Sequence, residues 1–513
     1  MTYSDYQLAI FDAIENGETN IAINAVAGSG KTTTIVSACK RLRLAESKVK
    51  FLAFNKLIAD ELKAKLNGYA EVSTLHSFGF SILKRLYNNP RQGMCLRVDD
   101  WKWQKYVKDH IKELSSIITD DTPQAKVYGF CCNVSKLFNL ARVNLIETDE
   151  QGKLQSLCDE HQINCLFDEV RVVDILLADA YKMPSNLTID FTDMIVLPLL
   201  HKEHIPTYKF VFIDECQDLN PAQRELMLCA ADGGRFVAVG DRNQAINGFA
   251  GADCASFDKI ANLPNTIELP LSVNYRCGEN MIRLAQELVP EIKAHQGAIQ
   301  GEVSHIDKLK KSMFMPNDMV LCRTSAPLVA LCMNLIANGI TAVVKGKDIA
   351  QGLKLIIDNA NTENIKSLLE YLENEKNKLV EVIKNERKCD ESDAKETTRF
   401  RNLEDKCKCI ENICLYSIKD TTQLKGFIDT LFTDENVKNA VMLSTAHKSK
   451  GLEANRVMIL LPNKLPLKWR GQQDWQFRQE VNLKYVALTR ARKELIFVDI
   501  DEKELTKANI EKE

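Results

Sequence analysis

Asn24-Ala25-Val26-Ala27-Gly28-Ser29-Gly30-Lys31-Thr32 lies between an apolar run, Ile21-Ala22-Ile23, and a run able to open a helix, Thr32-Thr33-Thr34-Ile35-Val36. A buried strand, a glycine-bearing turn and a helix start, in that order, are the context of a phosphate-binding loop. Gly28 and Gly30 let the backbone curl so that successive N–H groups face phosphate oxygens, and the helix N-terminus adds its positive dipole end. Lys31 is expected on the β- and γ-phosphates and Thr32 on Mg²⁺, with Ala27, Gly28, Ser29, Gly30 and Thr33 completing the cradle for ATP. The full pattern has Gly at position 25; Ala25 stands there, and its methyl still leaves room for the turn.

The chain around this loop has 513 residues, more than one core holds, so several domains are expected. A net charge of −3 excludes a broad polyanion-binding surface; a nucleic-acid partner would need a local groove. No apolar run approaches about 18 residues and no leader precedes Tyr3, so neither a membrane span nor a secretion signal is expected. The 16 cysteines lack framework spacing and fit reduced thiols in an intracellular compartment.

Upstream of the loop, Gln7 at a helix start carries an amide that matches the donor and acceptor of an adenine edge. Downstream, a strand over Val49 to Phe54 closes on Asn55-Lys56, and Val72 to Phe78 forms a second short run. Ligands gather at the carboxyl ends of strands in an open α/β sheet, so Phe54, Asn55, Thr74, His76 and Phe78 are candidates to hold a phosphate backbone and a base; the alternative is an ordinary polar loop. From Ile82 to about Leu200 the pattern is helical. Trp101 and Trp103 alternate there with Lys102, Lys105 and Lys108, but Trp103, Val107, Ile111 and Leu114 recur at helical spacing and are expected to face a core.

Lys209 to Asp218 is an apolar run that breaks into acids: Asp214 is placed to take Mg²⁺ and Glu215 to polarise an attacking water. Arg235 to Asp241 repeats the layout, and Gln244 beyond it is a candidate γ-phosphate sensor. The first half closes at Asn274-Tyr275-Arg276, and a second α/β series opens at Asp318 to Thr324. A charged helical stretch interrupts it from about Asp348 to Glu435; it resumes with Ala440 to Glu453 and ends with strands at Arg456 to Leu461 and Glu494 to Val498. Within the interruption Leu403, Cys407, Ile410 and Cys414 share a helical face, so Cys389, Cys407, Cys409 and Cys414 are read as packing residues, with no metal expected.

GSGKT at Gly28 to Thr32, DECQD at Asp214 to Asp218, VGDRNQ at Val239 to Gln244, NYR at Asn274 to Arg276, STAHKSKGLE at Ser444 to Glu453 and YVALTRAR at Tyr485 to Arg492 resemble, in this order, the motifs of UvrD/Rep-type superfamily 1 DNA helicases. Its second insertion is short for the family, and the chain resembles the compact versions in the F-box DNA helicase branch and phage-encoded relatives. The resemblance implies an α/β fold of two RecA-like parallel-sheet P-loop domains with two helical insertions. The first core would take 1–85 and 200–277, its insertion 86–199, the second core 278–347 and 436–513, and its insertion 348–435.

The same resemblance assigns Gln7 and Tyr275 to adenine, Glu453 to the nucleotide, and Arg276 and Arg490 to the γ-phosphate across the cleft. His76, Phe78, Phe249, Thr445 and His447 fall at positions that touch the DNA strand in relatives. Where relatives commonly carry Tyr, Trp and Arg after the sensor glutamine, this chain has Asn247, Phe249 and Ala250, which leaves Phe249 as the stacking ring. The implied activity is an ATP-driven, 3′-to-5′ translocase and helicase on single-stranded DNA and DNA junctions. The implied setting is cytoplasmic, in a bacterial or phage protein acting as a monomer, without membrane, beside replication or recombination proteins. Three alternatives stay open: a motor that displaces proteins or works on RNA, an ATP-gated switch that does not move, and a small-molecule kinase, which the arginines of the second core argue against.

Overall fold

The computed structural model describes residues 3–502 and 505, apart from 90–93, 123, 162, 164, 185, 249–250, 252, 254, 417 and 436. The chain divides into two units, Met1–Ser272 and Val273–Glu513.

In the first unit the runs β1 (Asn20–Ala25), β2 (Val49–Ala53) and β3 (Glu71–Thr74) are followed by a small separate pair, β4 (Arg97–Val98) with β5 (Thr188–Ile189), and then by β6 (Phe210–Ile213), β7 (Arg235–Gly240) and β8 (Thr266–Leu271). The six longer strands form one parallel sheet in the order β3-β2-β6-β7-β1-β8. Successive side chains enter opposite faces, and both faces are covered. Ile21, Ile23, Phe51, Phe210, Phe212, Val237 and Val239 join one core with Ile10, Phe11 and Ile35, whereas Ala22, Leu52, Val211, Ile213, Phe236 and Ala238 join the other with Leu75, Phe78 and Leu226. Burial on both sides is why these strands read as continuous apolar runs. Pro270 sits in β8 at the sheet's edge, where the missing N–H costs no ladder bond.

The helical insertion has a core of its own. Val107, Ile111, Phe138 and Leu176 are buried there, Trp103 and Leu114 pack against them, and the Trp103 ring lies 4.9 Å from that of Phe138. Trp101 points outward at 66% exposure.

The second unit opens with β9 (Val273–Asn274), which pairs with β10 (Lys293–Ala294). Its main sheet comprises β11 (Glu302–Ile306), β12 (Met319–Cys322), β13 (Ala342–Val344), β14 (Val441–Thr445), β15 (Ala454–Leu460) and β16 (Ala491–Val498), all parallel, in the order β11-β16-β15-β12-β14-β13. Asn274-Tyr275-Arg276 opens this unit instead of closing the first core. The reason is local bonding: Asn274 Oδ1 accepts from the N–H groups of Arg276 and Cys277, and Arg276 donates to Glu453 and to the Thr489 carbonyl.

The interrupting stretch is helical: Lys347–Asn359, Ile365–Arg387, Glu391–Lys395, Thr398–Cys414 and Thr421–Leu431. Leu353, Leu368, Cys407, Cys409 and Ile410 share one core with Leu328, Val344 and Leu443, so most of this stretch is a packing layer of the second sheet. Cys407 and Cys409 are fully buried in it, and Cys389 packs in a separate cluster with Val380, Ile383 and Phe400. Among the described residues no helix is long and apolar enough to cross a membrane.

Candidate nucleotide and nucleic-acid site

The phosphate loop follows β1 and ends on Gly30, the N-cap of the helix Lys31–Arg41. Gly28 and Gly30 take φ of 64° and 77°, the left-handed region in which a side chain is strained. Ala25 is outside that region and ends β1 fully buried, so glycine is not required there. Ser29 is 1% exposed, and its buried Oγ has no hydrogen-bond partner among the described residues. An orphaned hydroxyl within a curled loop at a helix N-terminus fits a phosphate oxygen.

Because β6, β7 and β1 are neighbours, their carboxyl ends bring three acids to the loop. Lys31 Nζ is 3.4 Å from Glu215 Oε1, and Thr32 Oγ1 donates to Asp214 Oδ2 over 3.3 Å. Gln244 Nε2 donates to Asp241 Oδ2 over 2.7 Å. Glu215 has a φ of 54°, a strained backbone of the kind found at functional sites, worth about 1–3 kcal/mol.

The charges explain one another. Burial acts to lower the Lys31 pKa, but Glu215, Asp241 and Asp214 outweigh it and hold the ammonium above its ordinary value. Asp214 is pushed up to about 6, by burial first and then by the charge of Glu215, against the pull of Lys31 and the Thr32 hydroxyl. Burial likewise pushes Asp241 up to about 6. Carboxylates held above their usual range are short of positive charge. The Thr32 hydroxyl and Asp214 carboxylate are hard oxygen donors at one point, which fits Mg²⁺.

Gln7 is 7% exposed and its amide is largely engaged. Oε1 accepts from the Ser4 N–H, closing a capping box at the head of the helix Asp5–Asn16, and Nε2 donates to Thr34 Oγ1 over 2.9 Å. It therefore ties the first helix to the helix after the phosphate loop, and one N–H remains for a base edge.

On the same carboxyl edge, β2 and β3 present the expected strand-binding residues. Phe54 is 39% exposed, and Asn55 caps the helix Lys56–Leu66. Thr74 caps the helix Leu75–Tyr87 by accepting from the Ser77 N–H. His76 lies in that helix's first turn with its pKa lowered by burial, and its ring meets Phe191 edge-on at 6.0 Å. Phe78 differs from expectation. It is 2% exposed, under the Lys50 ammonium at 4.9 Å from the ring and beside Tyr208. A ring enclosed in this way offers no face to a base. Phe249 and Ala250 lie outside the described residues; Asn247 donates to Asp218 Oδ1 over 3.1 Å.

In the second unit, Tyr275 is 44% exposed, with its ring 5.5 Å from that of His295. Arg276 Nε donates to Glu453 Oε2 over 2.5 Å, and Arg492 pairs with the other oxygen of the same carboxylate. Burial acts to raise the Glu453 pKa, but Arg276 and Arg492 outweigh it and hold it below the usual range. Arg490 is 1% exposed, bonded to the carbonyls of Val486 and Leu452 over 2.9 and 3.0 Å and to that of Ser449 over 3.5 Å. Glu453 immediately precedes β15, and Arg490 immediately precedes β16. Thr445, 9% exposed, and His447 stand at the carboxyl end of β14. Burial, then the charge of Arg323, push the His447 pKa down to about 3.

Two residues absent from the sequence-derived site complete it: Gln217, 1% exposed, and Asp241. Both stand within quoted motifs, DECQD and VGDRNQ, and adjacency to Asp214 and Gln244 is the signal that could have marked them.

Residues 8–264 match the UvrD/REP helicase N-terminal domain, and residues 340–502 the UvrD-like helicase C-terminal domain. The chain is 23% identical to F-box DNA helicase protein 1 of Schizosaccharomyces pombe, over 97% of this chain and 57% of that protein. It is also 23% identical to the probable DNA helicase II homolog of Mycoplasma genitalium, over 95% of this chain and 84% of the relative. The ATP-dependent DNA helicase PcrA of Staphylococcus aureus is 26% identical over 54% of this chain and 39% of its own length. The chain thus spans little more than half of the fission-yeast relative and most of the mycoplasma one. With Lys31, Asp214, Glu215 and Gln244 gathered on one sheet edge, and matches to both helicase domains, the chain belongs to the UvrD/REP family of ATP-hydrolysing DNA helicases.

Proposed function

We propose that this chain hydrolyses ATP to move 3′-to-5′ along single-stranded DNA and to separate duplexes ahead of it. The observation that carries the reading is the shared carboxyl edge of the first sheet. Lys31, Thr32, Asp214, Glu215 and Gln244 follow β1, β6 and β7, while Phe54, Asn55, Thr74 and His76 follow the adjacent β2 and β3. A strand held on one half of an edge and a nucleotide on the other can affect each other through a rigid sheet.

In this reading the loop N–H groups and Lys31 hold the β- and γ-phosphates, and Glu215 orients the attacking water. Mg²⁺, held by Thr32 and Asp214, would neutralise charge on the phosphate oxygens. Gln244, held by Asp241, senses the γ-phosphate. From the second unit, Arg276 and Arg490 neutralise the transferring group, Tyr275 contacts the adenine, Glu453 contacts the nucleotide, and Thr445 and His447 contact the strand. Gln7 offers its remaining N–H to the adenine. The protein is further proposed to act as an intracellular monomer on single strands and junctions, alongside replication or recombination proteins.

The test is ATPase activity with and without single-stranded DNA or RNA, beside unwinding of duplexes with a 3′ or a 5′ tail. Strong stimulation by DNA and unwinding from the 3′ tail are expected. Unwinding from the 5′ tail alone would reverse the polarity; displacement of bound protein without unwinding would select the rival motor.

A further inference from the structure

We infer that Gln217 is a positioning residue that ties the water-orienting carboxylate of Glu215 to the γ-phosphate sensor Gln244. The inference rests on the proposed ATPase reading of this site. Gln217 is 1% exposed and uses both ends of its amide. Nε2 donates to Glu215 Oε2 over 2.5 Å and, at the limit of bonding, to Asp218 Oδ2 over 3.5 Å; Oε1 accepts from the Asp241 N–H over 3.0 Å. Asp241 in turn holds Gln244 at 2.7 Å. A continuous chain of bonds therefore runs from Glu215 through Gln217 and Asp241 to Gln244, joining the ends of β6 and β7.

The fold leaves room for this bridge. A Cβ on Gly240, the last residue of β7, would lie 2.4 Å from Gln217 Oε1 and 2.8 Å from Cys216 Sγ, so any side chain there would displace the amide. Asn247 buttresses the neighbouring residue through its bond to Asp218. Glu215 has a strained left-handed backbone, and its carboxylate reaches Lys31 on one oxygen and Gln217 on the other. Without Gln217 the carboxylate loses its bond on Oε2 and shifts from the position in which it orients the water. A misplacement of about 1 Å is enough to cost about a hundredfold in rate.

The experiment compares Gln217→Met, which keeps the volume but removes both bonds, with Gln217→Asn, which keeps the amide but shortens its reach. DNA-stimulated kcat is expected to fall about a hundredfold in the first and less in the second, with the KM for ATP and the affinity for a non-hydrolysable ATP analogue within about twofold of wild type. Glu215→Gln is measured in parallel, as is the double variant with Gln217→Met. If Gln217 acts through Glu215, the double variant is no slower than Glu215→Gln alone, a non-additivity that loss of packing would not give. Three results overturn the inference: a Gln217→Met kcat within about threefold of wild type, a parallel loss of kcat and analogue affinity, or additive effects in the double variant. Wild-type rates for Glu215→Gln would instead overturn the ATPase reading of Glu215.

Discussion

In the first unit, the residues proposed to hold nucleotide and strand share the carboxyl edge of one sheet; in the second, they occupy opposite edges. Thr445 and His447 follow the carboxyl end of β14, whereas Glu453 and Arg490 precede the amino ends of β15 and β16. Parallel strands need a return connection, and here it is the short segment 446–453, running from one edge to the other beneath the bonds of Arg490 to Ser449 and Leu452. The electrostatics differ in the same sense. The first site holds carboxylates raised to about 6 around one lysine, a site short of positive charge. In the second, the guanidinium groups are already satisfied by carbonyls and by Glu453. The first site is therefore organised to receive a ligand, while the second is organised to hold a connection in place.

This contrast predicts that substitutions in the first site remove activity and spare stability, while those in the second affect both. Lys31→Ala should have the largest effect: hydrolysis is lost, and binding to single-stranded DNA is retained, since the residues proposed to hold the strand lie on other loops. Wild-type ATPase activity in this variant would remove the phosphate loop from the mechanism.

Arg276→Ala and Arg490→Ala should each lower DNA-stimulated kcat by about 10³ to 10⁵. Both should also lower the unfolding midpoint of the second unit, Arg490→Ala the more, since each buried carbonyl left without its donor costs about 1–3 kcal/mol and Arg490 serves those of Val486, Leu452 and Ser449 where Arg276 serves that of Thr489. Arg490→Lys keeps the charge but lacks the planar fork whose Nε and Nη1 meet carbonyls on different segments, so it should recover only part of the lost stability. A wild-type midpoint in Arg490→Ala would break the comparison between the sites.

The gathering of Lys31, Asp214, Glu215 and Gln244 was legible in the sequence because each closely follows an apolar run that forms a strand of one sheet. Residues that depend on partners far along the chain were not. The stretch Val72 to Phe78 reads as one run, yet Thr74 accepts from Ser77 and starts a helix at Leu75. Phe78 then falls on the helix face with Leu75, Gly79, Ile82 and Leu83, all buried. Gln7 looks like a free amide until Ser4 and Thr34 are seen to engage it. Arg490 shows no sign in its own neighbourhood that the carbonyls of Ser449 and Leu452 enclose it.

Phe54 and Phe78 turn this lesson into a measurement. Stacking on an aromatic ring contributes about 1–3 kcal/mol per base, so Phe54→Ala should weaken strand binding by roughly five- to 150-fold with little change in melting temperature. Phe78→Ala should do the reverse, destabilising the first unit by about 3–5 kcal/mol as a core truncation. Loss of strand affinity in a fully stable Phe78→Ala variant would return that ring to the binding surface.

The smallest expected effect concerns His447, whose folded pKa is pushed down to about 3 by burial and by Arg323, itself bonded to Glu480 over 2.6 Å. An unfolded imidazole takes up its proton near about pH 6.5, so between these values the unfolded state binds more protons than the folded one. The stability that the neutral ring contributes is present above pH 6.5 and is lost progressively as pH falls towards 3. Acid should thus lower the unfolding midpoint of the second unit less in His447→Gln than in wild type. The same neutrality bears on strand binding. A cation that neutralises a phosphate on a single strand contributes about 0.7 to the slope of log affinity against log salt, and a neutral ring releases no counterion. His447→Gln should therefore leave that slope unchanged at neutral pH, even where it weakens binding by removing an N–H donor. A slope reduced by about 0.7 in His447→Gln would mean that the ring carries charge on DNA, and the strand-binding edge of the second unit would then resemble the charged site of the first.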